Sequence, residues 1–484
     1  MKISLQWLSN YIEIPAAISA DLPKLWNLLE DIGLEVKKVE TDAADHIITF
    51  ELLANRGDHH CYVGIAREIH GRTGWPLQHP LEHVLAMSAD GLGEPIAVDV
   101  LTDLCLRFSM TAFALETEQT PLPAEIQAII GLSSTHLVTP AVDITNFINL
   151  ELGQPMHAFD ADHIEGKIEV RLGRAGETAQ LLGAATEVVV PENAIVIADQ
   201  VKILAIAGVM GCESSKSTEA TKRVYLESAV FDPISVRKTA RALGISSLAS
   251  TRFERGGDPE LAINALPRAR MLFAAAGWQQ VNKTWVSTSP VAAPVSLVLE
   301  LAALNSFFAA SFTGDELAAL LTRYGFACTL IESGIEVDIP SQRRWDISRV
   351  EDLYEEIARG IGYNNLPTQF PAVGVGARPR VLQAVVQEQL EPVLHAHGLF
   401  EVFTDSFYSD QDVERLGLAP GHLLMQHVRI NNSETKAYSL LKSNNLVQAL
   451  LCLGRNQNLK VTQIGCYERN RRYLPNRCII EGTD

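Results

Sequence analysis

The stretch TNFINLELGQPMHAFD, residues 145–160, gathers an Asn, a Gln, a His and an Asp among apolar neighbours. Asn146 and His157 are its polar candidates. His157 follows Pro155 in an expected turn, so the stretch is either one wall of a polar site or a link between two buried strands. Glu227 stands in VYLESAVF, an apolar and strand-forming setting where a carboxylate is costly unless paired or bound to ligand. Gly208 and Gly211 in LAIAGVMGCES allow backbone to come close to a ligand. Ser246, Ser247, Ala249 and Ser250 supply small walls. Together these residues suit a pocket of few polar groups. From composition alone, an isolated His and an isolated buried Glu are more often satisfied structural residues than catalytic ones.

A second set has different chemistry. Asp352, Glu355 and Glu356 fall at i, i+3 and i+4 in WDISRVEDLYEEIARGIGYNN, on one helix face, with Asp346 just upstream. Carboxylates at this spacing repel one another unless a cation answers them, and carboxylates with water are the ligands Mg²⁺ prefers. Arg343, Arg344 and Arg349 are alternative counter-charges, and a solvated acidic face is a third reading. The generic motifs GxxxxGK[ST], GxGxxG, GxSxG and HExxH are all absent from the sequence.

Several elements must position these residues. The chain has 484 residues, too many for one hydrophobic core. Boundaries are expected in ADGLGEP (89–95), STSPVAAP (287–294) and FPAVGVGARPR (370–380), rich in Gly, Pro and small residues. They divide the chain into units at 1–90, 91–290, 291–370 and 371–484. In the first, DLPKLWNLLEDIGLEV reads as a helix stopped at Gly33, HIITFELLA as a strand and YVGIAREIHGRTG as a second helix. In the second, KIEVRLG, EVVVPENAIVIAD and VKILAIAGVMG read as strands. The third ends in the helix VEDLYEEIARGIG, and the fourth opens with the helical pattern VLQAVVQEQLEPVLHAHG. The fold class expected is multidomain α+β.

Composition narrows the function. Hydrophobic residues make up 47% and charged residues 20%, the profile of a folded soluble chain. Seven scattered Cys without a CxxC pair argue against a disulfide framework or a structural zinc site and fit a reducing cytoplasm. The start lacks a signal-peptide core and no apolar run spans a bilayer. The net charge of −18 is wrong for an autonomous nucleic-acid binder. RNA contact is therefore expected to be weak or partner-dependent. The densest basic cluster, ERNRRYLPNR with Arg469, Arg471, Arg472 and Arg477, reads as RNA patch or solvated surface.

At this point longer strings become informative. DITNFINLELGQPMHAFD, FERGGDPEL, RRWDISRVEDLYEEIARGIGYNNLP and the opening WLSNYIEI…GLEVKKVE resemble the β subunit of bacterial phenylalanyl-tRNA synthetase, in order over nearly the whole chain. The resemblance implies a strand-rich editing domain at 91–290 of B3/B4 type. Flanking it would be small mixed α/β, winged-helix-like units and a truncated class II synthetase-like domain. It implies an α-type subunit as partner, which carries phenylalanine activation and ATP. It implies hydrolysis of mischarged Tyr-tRNA(Phe), with a Tyr- or Phe-like aromatic amino acid in the editing pocket. By motif, Asn146, His157 and Gly211 match pocket and backbone positions near substrate. Glu227 matches the reader of the tyrosine hydroxyl, and Ser247 and Ala249 match pocket walls. Asp346, Asp352, Glu355 and Glu356 match the Mg²⁺-binding acidic set.

The sequence departs from this pattern in places. GLEVKKVETDAADHIITFELLANRGDHH runs through where the family inserts an OB-type tRNA-binding domain. Tyr438-Ser439 stands where Met-Arg is typical, Ser247 where Thr is common, and Leu248 where a polar residue is common. A shortened homologue or paralogue is expected. An editing subunit is the leading reading; a non-catalytic assembly partner and a binder of free aromatic amino acid are alternatives.

Overall fold

The computed structural model describes residues 1–42, 45–78, 93–116, 118–133, 136–288, 294–368, 370, 376, 379–417, 419, 421–422, 426–443 and 445–455. For 461–465 and 477–482 it describes the backbone path. Most of the three expected boundary segments, and Arg469, Arg471 and Arg472 of the basic cluster, lie outside the described residues. The chain packs as two units, Met1–Phe370 and Pro371–Asp484.

The first unit opens with a three-stranded sheet in the order Lys2–Ser4, Asp45–Glu51, Glu35–Asp42. The helix Leu22–Asp31 starts where the Asp21 side chain accepts from Lys24 N–H. It ends before Gly33, whose φ of 82° needs no Cβ. The helix Tyr62–Thr73 ends at Gly74 in the left-handed region. This part has no core of its own. Ile3, Leu29, Ile48, Ile65 and Ile69 pack in one continuous cluster with Phe147, Phe273, Val224 and Leu226 of the following region.

That region is built on two sheets. One has the order Met210–Gly211, Ile203–Ile206, Ile195–Ala198, Ile168–Leu172, Val98–Val100, with its last pair parallel. The other has the order Trp278–Gln280, Cys105–Leu115, Arg223–Phe231, Met156–Asp160, and Trp285–Val286 also pairs with Cys105–Leu115. Side chains alternate across the strand Arg223–Phe231. Val224 and Leu226 face the shared core, while Ala229 and Phe231 face the space between the sheets with Ile197, Leu204 and Ile206. Residues 140–152 form a helix, not a buried strand: Thr139 caps it and Gly153, at φ 85°, ends it. The expected turn at His157 is the strand Met156–Asp160. The link between two buried strands does not hold there, because Ile144, Phe147, Ile148 and Leu152 are spaced for a helix buried nearly all round.

The stretch 296–361 forms a sheet ordered Ser296–Glu300, Gly334–Asp338, Ala327–Ile331 under the helices Gly314–Arg323 and Val350–Ile361. Leu353 and Ile357 of the last helix are fully buried. A buried ionic network ties this helix to Tyr62–Thr73. Glu68 accepts from Arg56 at 2.7 Å and from Arg359 at 2.6 Å. Glu356 accepts from Arg359 at 2.9 Å and from Arg343 at 2.8 Å. Burial opposes ionisation of Glu68, but Arg56 and Arg359 outweigh it and hold the carboxyl well below the usual range. The second unit pairs Leu399–Phe403, Arg477–Gly482 and Val461–Gly465 in one sheet, and Phe407–Tyr408, Leu440–Leu441 and Val428–Arg429 in another.

Arg359 bridges two buried carboxylates, so Arg359→Met is expected to cost about 3–5 kcal/mol in urea unfolding, because removing one partner strands charge in the interior. A loss below about 1 kcal/mol would show that the network is solvated and structurally idle.

Candidate functional site

A cavity of about 590 Å³ opens between the two sheets of the strand-rich region. That lies within the range of about 300–1,000 Å³ for small-molecule sites. Asn146, His157, Gly211, Glu227, Ser247 and Ala249, far apart in sequence, all line it.

Glu227 and His157 are placed by strand alternation. Both occupy the face that looks between the sheets, in step with Ala229 and Phe159. They are directly opposed across the antiparallel pair formed by Arg223–Phe231 and Met156–Asp160. Glu227 is buried, and among the described residues no hydrogen bond or ion pair reaches its carboxyl. Burial pushes that carboxyl up to about 8 from an ordinary 4.5. His157 is held edge-on to Phe159, ring centroids 4.5 Å apart. Its Nε2 is buried without a partner among the described residues, and burial pulls the imidazole down to about 4. Both groups are therefore neutral between about 4 and 8.

Gly211 is set by what lies over it. A Cβ at this position would sit 2.5 Å from His157 Cε1 and 2.8 Å from Nε2, so the imidazole occupies the space any side chain would need. Its carbonyl accepts from Leu182 N–H at 2.9 Å, which fixes the peptide. Gly208 bends the preceding turn at φ 69°. Ser247 holds that turn to the helix Leu248–Phe253: its hydroxyl donates to Val209 C=O at 2.7 Å and accepts from Ser250 N–H at 3.0 Å. The Ser247 hydroxyl is thus engaged in positioning the wall, not directed at a ligand. Ala249, the second residue of that helix, belongs to the same wall.

Sequence reasoning missed Asn149. It is buried on the cavity side of the helix Pro140–Leu152, and its Oδ1 has no partner among the described residues. Val142, Thr145, Asn146 and Asn149 follow the i, i+3, i+4, i+7 pattern of one helix face. That signal was available once 140–152 is read as helix.

The second expected set does come together around a small cleft with Arg56 and Arg359. Asp346 accepts from Arg343 at 2.7 Å. Burial nevertheless outweighs the Arg343 and Arg56 charges and raises the Asp346 carboxyl. Glu356 is on Arg343 and Arg359. Asp352 caps its own helix, accepting from Ser348 N–H at 2.8 Å and Arg349 N–H at 3.0 Å. Glu355 is exposed. Among the described residues no group of three or more His, Cys, Asp or Glu is arranged to hold a metal. As arranged, guanidinium groups answer Asp346 and Glu356 and backbone N–H groups answer Asp352, which leaves Glu355 facing solvent. Of the three arginines proposed from sequence as counter-charges, Arg343 and Arg349 act so, while Arg344 stacks on Trp345.

Comparisons with known proteins agree along the chain. Residues 104–277 match the B3/4 domain, 297–363 the tRNA synthetase B5 domain, and 366–480 the phenylalanyl tRNA synthetase beta chain CLM domain. The chain is 32% identical to the phenylalanine–tRNA ligase beta subunit of Geobacter metallireducens, over 95% of this chain and 56% of that protein. It is 34% identical to that of Syntrophus aciditrophicus, over 88% and 54%, and 34% identical to that of Pseudomonas savastanoi pv. phaseolicola, over 94% and 56%. It therefore spans about half the length of these relatives. Among solved structures, an N-terminal fragment of the phenylalanyl-tRNA synthetase beta subunit from Pyrococcus horikoshii aligns with TM-score 0.41 and 15% identity, over 74% of this chain and 99% of that one.

The isolated carboxyl sets a pH dependence. Folding raises the Glu227 titration from 4.5 to about 8, so its stabilising contribution is full below 4.5 and is lost as pH rises through about 8. His157 runs the other way, its contribution present above 6.5 and lost as pH falls through about 4. Relative to wild type, Glu227→Gln is expected to gain several degrees in Tm between pH 6 and pH 9. A Tm difference that does not vary with pH would mean that the carboxyl is hydrated and ordinary.

Proposed function

The chain is a homologue of the bacterial phenylalanine–tRNA ligase beta subunit, and from that premise we propose that its inter-sheet cavity hydrolyses the ester of Tyr-tRNA(Phe). The carrying observation is Glu227, a buried carboxyl without a protein partner among the described residues, in a cavity whose walls mix apolar side chains with a few polar ones such as Asn146, His157 and Lys216. Tyrosine exceeds phenylalanine by one hydroxyl. A neutral carboxyl both donates and accepts, so it pairs with a phenol. A phenylalanine ring in the same place strips the group of water and returns nothing. Leaving a buried polar group unpaired costs about 1–3 kcal/mol, roughly 10- to 100-fold in discrimination.

Hydrolysis then needs an oriented water and a place for negative charge. The neutral His157 accepts from water at Nε2 and holds it beside the ester carbonyl. A group that titrates near 4 is a weak base, so its role is to position water more than to remove a proton outright. Backbone N–H groups at the Met210–Gly211 edge of the cavity, beside the His157 ring, are the candidate oxyanion donors. Asn146 and Asn149 offer amides to the amino group or the ribose. No metal enters this scheme.

Delivery of tRNA is proposed to depend on a partner. At net charge −18 the chain repels a polyanion at long range. An α-type subunit is the partner proposed, and it would carry ATP and phenylalanine activation. A cytoplasmic setting goes with that role; among the described residues no helix is long and apolar enough to cross a membrane.

A deacylation assay on Tyr-tRNA(Phe) and Phe-tRNA(Phe) tests the reading, with and without added α subunit. Wild type is expected to hydrolyse the tyrosyl ester preferentially. Glu227→Ala is expected to lose about 10- to 100-fold of the preference, and His157→Ala a similar factor in rate on both esters. Tyrosyl ester decay unchanged by the protein under either condition would falsify the proposal.

A further inference from the structure

Behind the helix Leu248–Phe253 lies a second cavity of about 100 Å³, between the loop 56–61 and the loop 253–258. Its wall carries Arg252, only 7% exposed. Arg252 Nη1 is buried and makes no hydrogen bond, and no carboxylate lies within ion-pairing distance of the guanidinium among the described residues. Burial pulls this guanidinium down to about 10. Arg67, half-buried, lines the same cavity and also has no ion-pair or hydrogen-bond partner among the described residues. Arg255 adds to the positive field at Arg252, and Arg252 in turn acts on the amino terminus.

Two carboxylates share the cavity, and neither answers these arginines. Asp58 is taken by Arg56, at 2.9 Å to Nε and 2.8 Å to Nη2. Asp258 accepts from Glu260 N–H at 3.0 Å and hydrogen-bonds with Ser341. The contrast is sharp in a chain with 58 acidic residues against 40 Lys and Arg. Elsewhere this fold gives every deeply buried arginine of its ionic network a carboxylate. A buried, unanswered guanidinium is costly, and the planar fork of Arg matches the oxygens of phosphate.

We infer that this cavity is a binding site for a phosphate-class tetrahedral oxyanion, clasped by Arg252 and Arg67. The volume accommodates one such group and not a nucleoside, so any larger ligand presents its phosphate and leaves the rest outside. The site is separate from the inter-sheet cavity but adjoins it: Phe253 and Pro155 line both. It does not depend on the hydrolytic reading above.

The test is thermal unfolding and calorimetric titration of the full chain with inorganic phosphate, against chloride and acetate at matched ionic strength. Wild type is expected to show saturable stabilisation by phosphate beyond either control. Arg252→Met and Arg67→Met are each expected to weaken phosphate binding at least tenfold. In phosphate-free buffer Arg252→Met is expected to melt no lower than wild type, since replacing an uncompensated buried charge by an apolar side chain is neutral or favourable. Should that variant fail to fold, the half-buried Arg67→Met carries the test alone. A stronger gain with 5′-AMP than with phosphate supports the site and assigns it to a phosphomonoester; equal gains support it as a site for the free oxyanion. Equal phosphate increments in wild type and Arg67→Met, or an acetate effect matching that of phosphate, overturn it.

Discussion

Glu227 and His157 face each other across two hydrogen-bonded strands, and among the described residues neither the Glu227 carboxyl nor the buried His157 Nε2 has a polar partner. This opposition is the constraint around which the strand-rich region is arranged. In a β-sheet a register slip of one residue turns every side chain to the other face. Here such a slip in Arg223–Phe231 would send Glu227 into the shared core with Val224 and Leu226. It would also point Leu226 or Ser228 into the cavity. The register is therefore held from several sides. Strand Cys105–Leu115 pairs along the whole of Arg223–Phe231. Gln154 donates to Ala229 C=O at 2.9 Å, and Ser217 to Ala158 C=O at 2.7 Å.

Around this pair the small residues act through absence of volume. Gly211 gives way to the imidazole and Gly208 turns the chain against Phe253 and Val236. Ser247 converts that turn into a fixed wall by bonding Val209 C=O while capping the next helix. The cavity is thus preformed by backbone and core packing, with few polar groups left over. Among the described residues, the buried Glu227 carboxyl, His157 Nε2 and Asn149 Oδ1 are left without protein partners.

Much of this was legible in the sequence, and the exceptions have physical causes. Glu227 announced itself because an acidic residue in VYLESAVF has no cheap structural excuse. Glycines 208 and 211 and the strands around them followed from turn chemistry and β-branched runs. The helix 140–152 did not, because burial on nearly all sides erases the polar face by which a helix is recognised. With the helix unread, Asn149 was invisible and His157 was placed in a turn. The acidic set 346–356 was located correctly as a cluster, but its counter-charges could not all be seen. Arg56 lies some three hundred positions upstream, and Arg359 was read only as part of a helix pattern. The continuous core joining residues 1–73 to Phe147 and Phe273 also escaped a division drawn from linkers alone.

The same fold treats buried charge in two ways. Between the helices Tyr62–Thr73 and Val350–Ile361, three arginines meet Asp58, Glu68, Asp346 and Glu356, so each ion loses water and gains partners. In such a network each buried ion is answered by another, and removing one partner strands the rest. In the inter-sheet cavity and behind Phe253, single groups are desolvated with no answering ion pair or hydrogen bond among the described residues: a carboxyl pushed up, an imidazole pulled down, a guanidinium pulled down. Desolvation without pairing is unfavourable in the empty protein and is relieved only when something brings the missing partner. A phenolic hydroxyl does that for Glu227, and an oxyanion does it for Arg252. Function in this chain is therefore to be sought where its ionic accounting fails to close, and those places lie on opposite sides of one short helix, Leu248–Phe253.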